Sequence, residues 1–443
     1  MKTPRKVEPP IVPMGDKQGG EVYGRWPWVE PRVWTERMLK ALETGVKGNQ
    51  WFSLIDKVYA EDTLELAWEK VQSNAGGSGV DNMRIGCFAK DCSRRLLALK
   101  EQLRQSSYQP SPVKRCWIDK PGTNEKRPLG IPTVSDRIVQ TALRMVIEPI
   151  FEHTFAEHSY GFRPGRGCKD ALRRVQHLLD EGRTWIVDAD LKSYFDTIPH
   201  EKLMERVGER VADGRVLGLI QSYLKQGVMD GLSWYEAGEE GTPQGAVISP
   251  LLANVYLNPF DHLMAAAGFE LVRYADDFVI LCRSQEEAQA ALAQVQTWVQ
   301  ENGLSLHPQK TRLVDVLQPG GFDFLGYHFE RGYRWPRKKS LDRLKEGIRI
   351  LTPRNSGIAL SESIDKLNTK LRGWFGYFKH SHRTTFPQLD GFVRGRLRSI
   401  LRKRLGKRGR ARGNDHRRWP ILYFTERGLF SLTQAHVSLL ESL

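Results

Sequence analysis

Three acidic residues in this 443-residue chain have the types and placement to act together. Asp276 and Asp277 stand side by side in "RYADDFVILC" (273–282), between short apolar runs that read as the two strands of a hairpin. Two unit charges about 4 Å apart repel by roughly 1 kcal/mol in water and several times more in a partly buried site, so something must offset the pair. A divalent cation is one answer: magnesium takes oxygen ligands from one or two carboxylates and from substrate phosphates. A solvated turn is the other, since Asp is a favoured turn residue. A third carboxylate on another strand would decide between them. Asp190 is the candidate, at the end of the strand-like stretch "TWIVDADLKSYFDTIPH" (184–200), where Ile186, Asp188 and Asp190 alternate with Trp185, Val187 and Ala189. An Asp closing a buried strand is a cap or a ligand, because burying it unpaired is costly. Three acids holding two metals would form a clamp for in-line phosphoryl transfer, which is what a nucleotidyl transferase needs.

The elements that must position these acids follow from periodicity. Upstream, "CWIDKPGTNEKRPLGIP" reads as two strands joined by a polar loop carrying Lys120, Lys126 and Arg127, either a triphosphate grip or an exposed basic loop. "SDRIVQTALRMVIEPIF" predicts an amphipathic helix capped by Ser135. "GTPQG" (241–245) predicts a turn that approaches a base pair closely, since Gly241 and Gly245 lack a Cβ, followed by a long apolar helix. After the hairpin come the helix "SQEEAQAALAQVQTWVQENG" and strands in "LSLHPQKTRLV" and "FDFLGYHF". This order predicts an α+β layer with helices on one face of an antiparallel sheet. Residues 1–45, rich in Pro and Trp without clear periodicity, are expected to be a partly ordered arm, and after residue 340 the pattern is helical throughout.

The net charge of +15 is unevenly distributed. Residues 331–443 hold 27 Lys and Arg against 8 Asp and Glu, a balance of +19, which leaves −4 for the first 330 residues. The run "VRGRLRSILRKRLGKRGRARGNDHRRW" (393–419) is dense enough in arginine to predict a nucleic-acid surface, with Arg394, Arg396, Arg398, Arg402, Arg404, Arg408, Arg410 and Arg412 as candidate phosphate contacts. The five scattered cysteines have no paired metal spacing, which argues for reduced thiols and against a zinc finger. No apolar run reaches the roughly 18 residues of a membrane span, and the first twenty residues lack a signal-like core, so no membrane partner is expected. A bacterial cytoplasmic or nucleoid protein is the expectation.

Seven ordered stretches resemble one family: "KRPLGIPTVSDRIVQTAL", "SYGFRPGRGCKDAL", "VDADLKSYFDTI", "GTPQGAVISPLLANVYL", "RYADD", "LHPQKTR" and "FDFLGYHF", followed by a maturase-type region with "LRGWFGYFKH", "RLRSILRKRL" and "GLFSLTQAH". The chain resembles the reverse transcriptases, or maturases, encoded by group II introns. The resemblance implies an α+β right-hand polymerase: an N-terminal extension and fingers over 46–180, a palm with an antiparallel sheet over 181–330, and a basic α-helical thumb and maturase region over 331–443. It implies Asp190, Asp276 and Asp277 as catalytic ligands of two Mg2+ ions. Lys120 and Arg127 would grip the incoming dNTP, Phe195 would exclude a 2′-hydroxyl, Gln244 would contact the nascent pair, and Lys310 would stand near the leaving pyrophosphate. The implied partners are a parent group II intron RNA, an RNA template with its DNA primer, dNTPs and target DNA; the oligomeric state is open.

The implied function is an RNA-directed DNA polymerase that also assists splicing and acts in retrohoming. Two alternatives stay open: a domesticated reverse transcriptase of DNA repair or phage defence, and a splicing cofactor with secondary polymerase activity. The aromatic at Phe195 argues against an RNA-dependent RNA polymerase. The paired cysteines and histidines of an HNH-type endonuclease are missing from the sequence, so DNA cleavage is not expected of it.

Overall fold

The computed structural model describes residues 24, 26–119, 126–231, 233–236, 238–243, 245–355, 357–409 and 411–442. In chain order the strands are β1 (Val113–Asp119), β2 (Lys126–Ile131), β3 (Trp185–Asp190), β4 (Val228–Asp230), β5 (Ser233–Tyr235), β6 (Glu270–Tyr274), β7 (Asp277–Cys282), β8 (Arg312–Asp315), β9 (Phe322–Phe324), β10 (Tyr327–Glu330) and β11 (Tyr333–Pro336). The chain divides into two compact units, one of residues 1–117, 128–155 and 198–256, the other of residues 118–127, 156–197 and 257–443.

In the first unit the buried Val134–Glu152 helix runs beside the Glu61–Asn74 helix. Its cap is Thr133, whose hydroxyl accepts from the Asp136 amide, and not Ser135. Thr133 wins because it stays extended (φ −61°, ψ 164°) while Ser135 is already helical. The segment expected to lack periodicity contains a helix, Glu36–Thr44, preceded by the fully buried Trp34, whose indole donates to the Met145 carbonyl. Leu39 and Leu42 are buried three residues apart on one face of that helix, a helical spacing short enough to be passed over amid the Pro- and Trp-rich surroundings. The loop after Gly241 is tied down from the core, where the Val247 amide donates to the buried Gln140 side chain. At Gly245 (φ +106°) an added Cβ would collide with the Gly130 carbonyl, so both the conformation and the contact require glycine.

The second unit is built on an antiparallel sheet in the order β6-β7-β3-β8. Alternation along β3 and β7 buries both faces. Ile186, Val279 and Leu281 pack with Leu172, Val175 and Leu178 of the Cys168–Asp180 helix, while on the other face Phe278 meets Phe260, which in turn meets Trp298 of the Gln285–Glu301 helix. Helices thus cover both faces, where one was expected. The sequence cue is that β7, "DFVILC", is apolar at every position after Asp277, the pattern of a strand buried on both sides.

A three-stranded sheet, β9-β10-β11, extends the core through Phe322, Phe324, Tyr327 and Phe329. Beyond it, helices Lys338–Leu351, Leu360–Phe378, Thr385–Arg404 and Leu432–Glu441 enclose a second core of Ile348, Ile364, Leu371, Phe386, Val393 and Leu397. The last helix is fastened by buried Asp390, which accepts from the Ser431 hydroxyl and from the amides of Leu432 and Thr433. Among the described residues, no helix is long and apolar enough to cross a membrane.

Candidate active site

The register of β3 on β7 sets Asp190 directly opposite Asp277. Opposed residues of an antiparallel pair have Cα atoms about 5 Å apart and side chains on one face. Asp188, two residues back on β3, projects from the same face, so the buried alternation that ends in Ile186 and Val279 becomes a cluster of carboxylates at one end of the strand pair. Asp276 lies in the two-residue turn between β6 and β7. Ala275, the first turn residue, has φ +60°, and Asp276 has no positive φ, the pattern of a type II′ turn.

The electrostatics of the cluster are those of an anionic site. Burial, then repulsion from Asp276, Asp188 and Asp190, pushes the Asp277 carboxyl up to about 7, with Arg337 opposing. Asp276 is raised chiefly by burial and further by Asp190, against its own backbone amide and the charges of Arg127 and Arg273. Asp188 is raised by burial, although the Arg312 Nε donates to its Oδ2 at 3.0 Å. Lys310 donates to Asp190 Oδ2 at 2.5 Å.

Among the described residues no group of three His, Cys, Asp or Glu side chains forms a ready metal-ligand cluster. The donor set nonetheless fits a hard divalent cation. It consists of carboxylate oxygens, and their mutual repulsion is the kind of charge excess that such an ion offsets. Asp190, Asp276 and Asp277 are the residues that would hold such an ion.

The remaining expected site residues divide. Phe195 is half-buried in the short Tyr194–Thr197 helix after β3, its ring edge-on to Tyr194 with centroids 5.5 Å apart. Arg127 is exposed and its charge reaches Asp276. Lys120 and Gln244 lie outside the described residues.

The arginine-rich run is not uniformly a surface. Arg398 is buried, donating to the Trp419 carbonyl at 2.9 Å with its guanidinium over Phe424, so the expectation that it contacts phosphate is corrected: it holds two helices together. Arg402 is paired with Asp415 at 2.6 Å. Arg396 donates to the hydroxyl and carbonyl of Thr352, and Arg394 is half-buried. Arg404, Arg408 and Arg412 are exposed, as are Lys403, Lys407, Arg417 and Arg418. Arg410 lies outside the described residues.

Sequence reasoning gave no role to Asp188, Arg312, Arg273 or Asp261. The alternation of "IVDAD" already put Asp188 on the face of Asp190. Arg273 and Asp261 carried no signal. They form a fully buried, two-pronged pair, with Nε to Oδ1 at 2.7 Å and Nη2 to Oδ2 at 2.5 Å. Burial alone would lower the Arg273 pKa, but Asp261 outweighs it and the net direction is up.

The reverse transcriptase (RNA-dependent DNA polymerase) family matches residues 118–329, and the maturase-specific domain of group II introns matches residues 341–419. Protein YkfC of Escherichia coli (strain K12) is 36% identical over 292 residues, covering 57% of this chain and 76% of YkfC. The group II intron-encoded protein LtrA of Lactococcus lactis subsp. cremoris is 36% identical over 203 residues, 45% of this chain and 33% of LtrA. A 91 kDa protein in the cob intron of Schizosaccharomyces pombe is 28% identical over 417 residues, 78% of this chain and 49% of that protein. The chain thus spans three quarters of one relative but half or less of the other two. With both domains matched in order, the chain belongs to the group II intron-type reverse transcriptases and maturases, a family of RNA-directed DNA polymerases.

Proposed function

We propose that this chain copies RNA into DNA on a primer with two Mg2+ ions, and that its basic helical region binds a group II intron RNA, assisting its splicing and its retrohoming into target DNA. The observation that carries the polymerase reading is the pairing of Asp190 with Asp277 beside the Asp276 turn. In this reading residues 46–180 are the N-terminal extension and fingers, 181–330 the palm and 331–443 the thumb and maturase region.

When bound, the metal ions supply positive charge at the attacking and leaving oxygens. The chain's own residues do the rest. Asp190 and Asp277, at the ends of strands whose buried faces keep them rigid, and Asp276 in the adjoining turn would fix where that charge sits. In this reading Lys310, which donates to Asp190, turns its ammonium to the departing pyrophosphate, and Arg127 turns its guanidinium to the incoming triphosphate. Lys120 and Gln244 carry their roles by resemblance alone. Phe195 is the proposed filter for the sugar, because a ring packed on Tyr194 rejects an added hydroxyl by sterics.

The test is extension of a DNA primer on an RNA template by the purified chain, abolished by chelation and restored by magnesium. Phe195→Val is expected to raise ribonucleotide incorporation relative to deoxynucleotide by about 10- to 100-fold, measured as the ratio of kcat/KM values. An unchanged ratio would make Phe195 a packing residue only.

A further inference from the structure

The Ala275–Asp276 turn is held in an unfavourable conformation from inside the second unit. A non-glycine residue at φ +60° is uncommon, and at the first position of such a turn glycine is the usual occupant. Three contacts impose it here. Arg273, wholly buried, directs Nη1 to the Ala275 carbonyl at 2.8 Å while its other two donors are fixed on Asp261. The Arg273 backbone is clamped in turn: its amide donates to the His158 carbonyl and its carbonyl accepts from the Tyr160 amide. Gly161, next along that segment, lies so close that any Cβ on it would collide with the Ala275 amide.

From this geometry we propose that Arg273, oriented by Asp261, is a positioning residue for the polymerase reaction: it fixes the turn that sets Asp276 beside the Asp190 and Asp277 pair. The inference rests on the polymerase reading above. A guanidinium suits the task because its planar fork reaches both carboxylate oxygens and a carbonyl at once. A lysine at the same place would keep the charge but lose the fork. The ion pair is buried and does not reach solvent, so its effect passes through the position of Asp276. Partners that orient metal ligands commonly contribute about 10- to 100-fold in metal affinity or activity.

The test compares wild type, Arg273→Lys and Arg273→Lys with Ala275→Gly, using Mn2+ as the probe. Mn2+ binding is followed by electron paramagnetic resonance in the presence of a dNTP, and primer extension is followed against magnesium concentration. Arg273→Lys is expected to weaken Mn2+ binding and to raise the magnesium needed for half-maximal extension by about tenfold, with RNA binding by the helical region retained. Ala275→Gly in that background should regain part of the loss, since glycine reaches the left-handed region without being held there. Wild-type Mn2+ binding and magnesium dependence in Arg273→Lys would overturn the proposal. If that variant fails to fold, Asp261→Asn is measured in the same way and read by the same criteria. A wild-type protein whose Mn2+ binding is unaffected by Asp276→Ala would instead defeat the polymerase reading itself, which separates the two failures.

Discussion

Asp276→Ala is expected to cut primer extension by at least about 10³-fold, with RNA binding unchanged. The magnitude follows from the site having no substitute: Asp190 is already engaged by Lys310 and Asp188 by Arg312, and Asp277 is buried among the other acids. Stability should move the other way. Asp276 and Asp277 have folded-state pKa values above their ordinary ones, so ionising them costs stability as pH rises past the unfolded value, and that cost is present at neutral pH. Removing Asp276 relieves part of it. The variant should therefore melt no lower than wild type without divalent ions, and magnesium should raise the wild-type melting temperature more than the variant's. A variant that is both inactive and strongly destabilised would indicate a structural role for Asp276 in place of the proposed one.

RNA affinity is expected to fall by about 10³-fold between 50 and 200 mM salt, the loss for roughly six neutralised phosphates. Among the described residues of 403–418 seven cations are exposed: Lys403, Arg404, Lys407, Arg408, Arg412, Arg417 and Arg418. The arginines of the same run are not equivalent, and that makes the prediction specific. Replacing Arg408 or Arg412 by Gln should flatten the slope of log affinity against log salt by about 1 each. Replacing Arg398 should leave the slope alone and lower stability by about 1–3 kcal/mol, because the Trp419 carbonyl loses a buried charged donor. A shallow salt profile in the wild type, or equal slope changes at Arg398 and Arg408, would contradict the assignment of this surface.

Much of the site was legible in the sequence because its elements are local. The hairpin of "RYADDFVILC" and the alternation of "IVDAD" each fix strand and face within ten residues, and β7 and β3 formed where expected. What the alternation could not supply was the pairing of β3 with β7, since register between distant strands depends on how the whole sheet packs. Contacts through side chains far apart in the chain left even less trace. Arg398 has the same residue type and neighbourhood as Arg404, and only the fold turns one inward and the other out. The Arg273 and Asp261 pair joins a strand to the end of a helix, with no motif to mark it. The Thr133 cap was missed by two residues because Ser135 is an equally good capping type in the same stretch, and backbone conformation, not residue type, decides between them.

The most direct measurement is metal-directed cleavage. Fe2+ replaces magnesium in the complex with primer, template and dNTP, and ascorbate with peroxide generates hydroxyl radicals that cut the backbone beside the bound ion. Cuts near residue 190 and near residues 276–277 in the same protein, both lost on competition with excess magnesium, are the result the account predicts. Cuts confined to one of those places, or falling elsewhere in the chain, would contradict it.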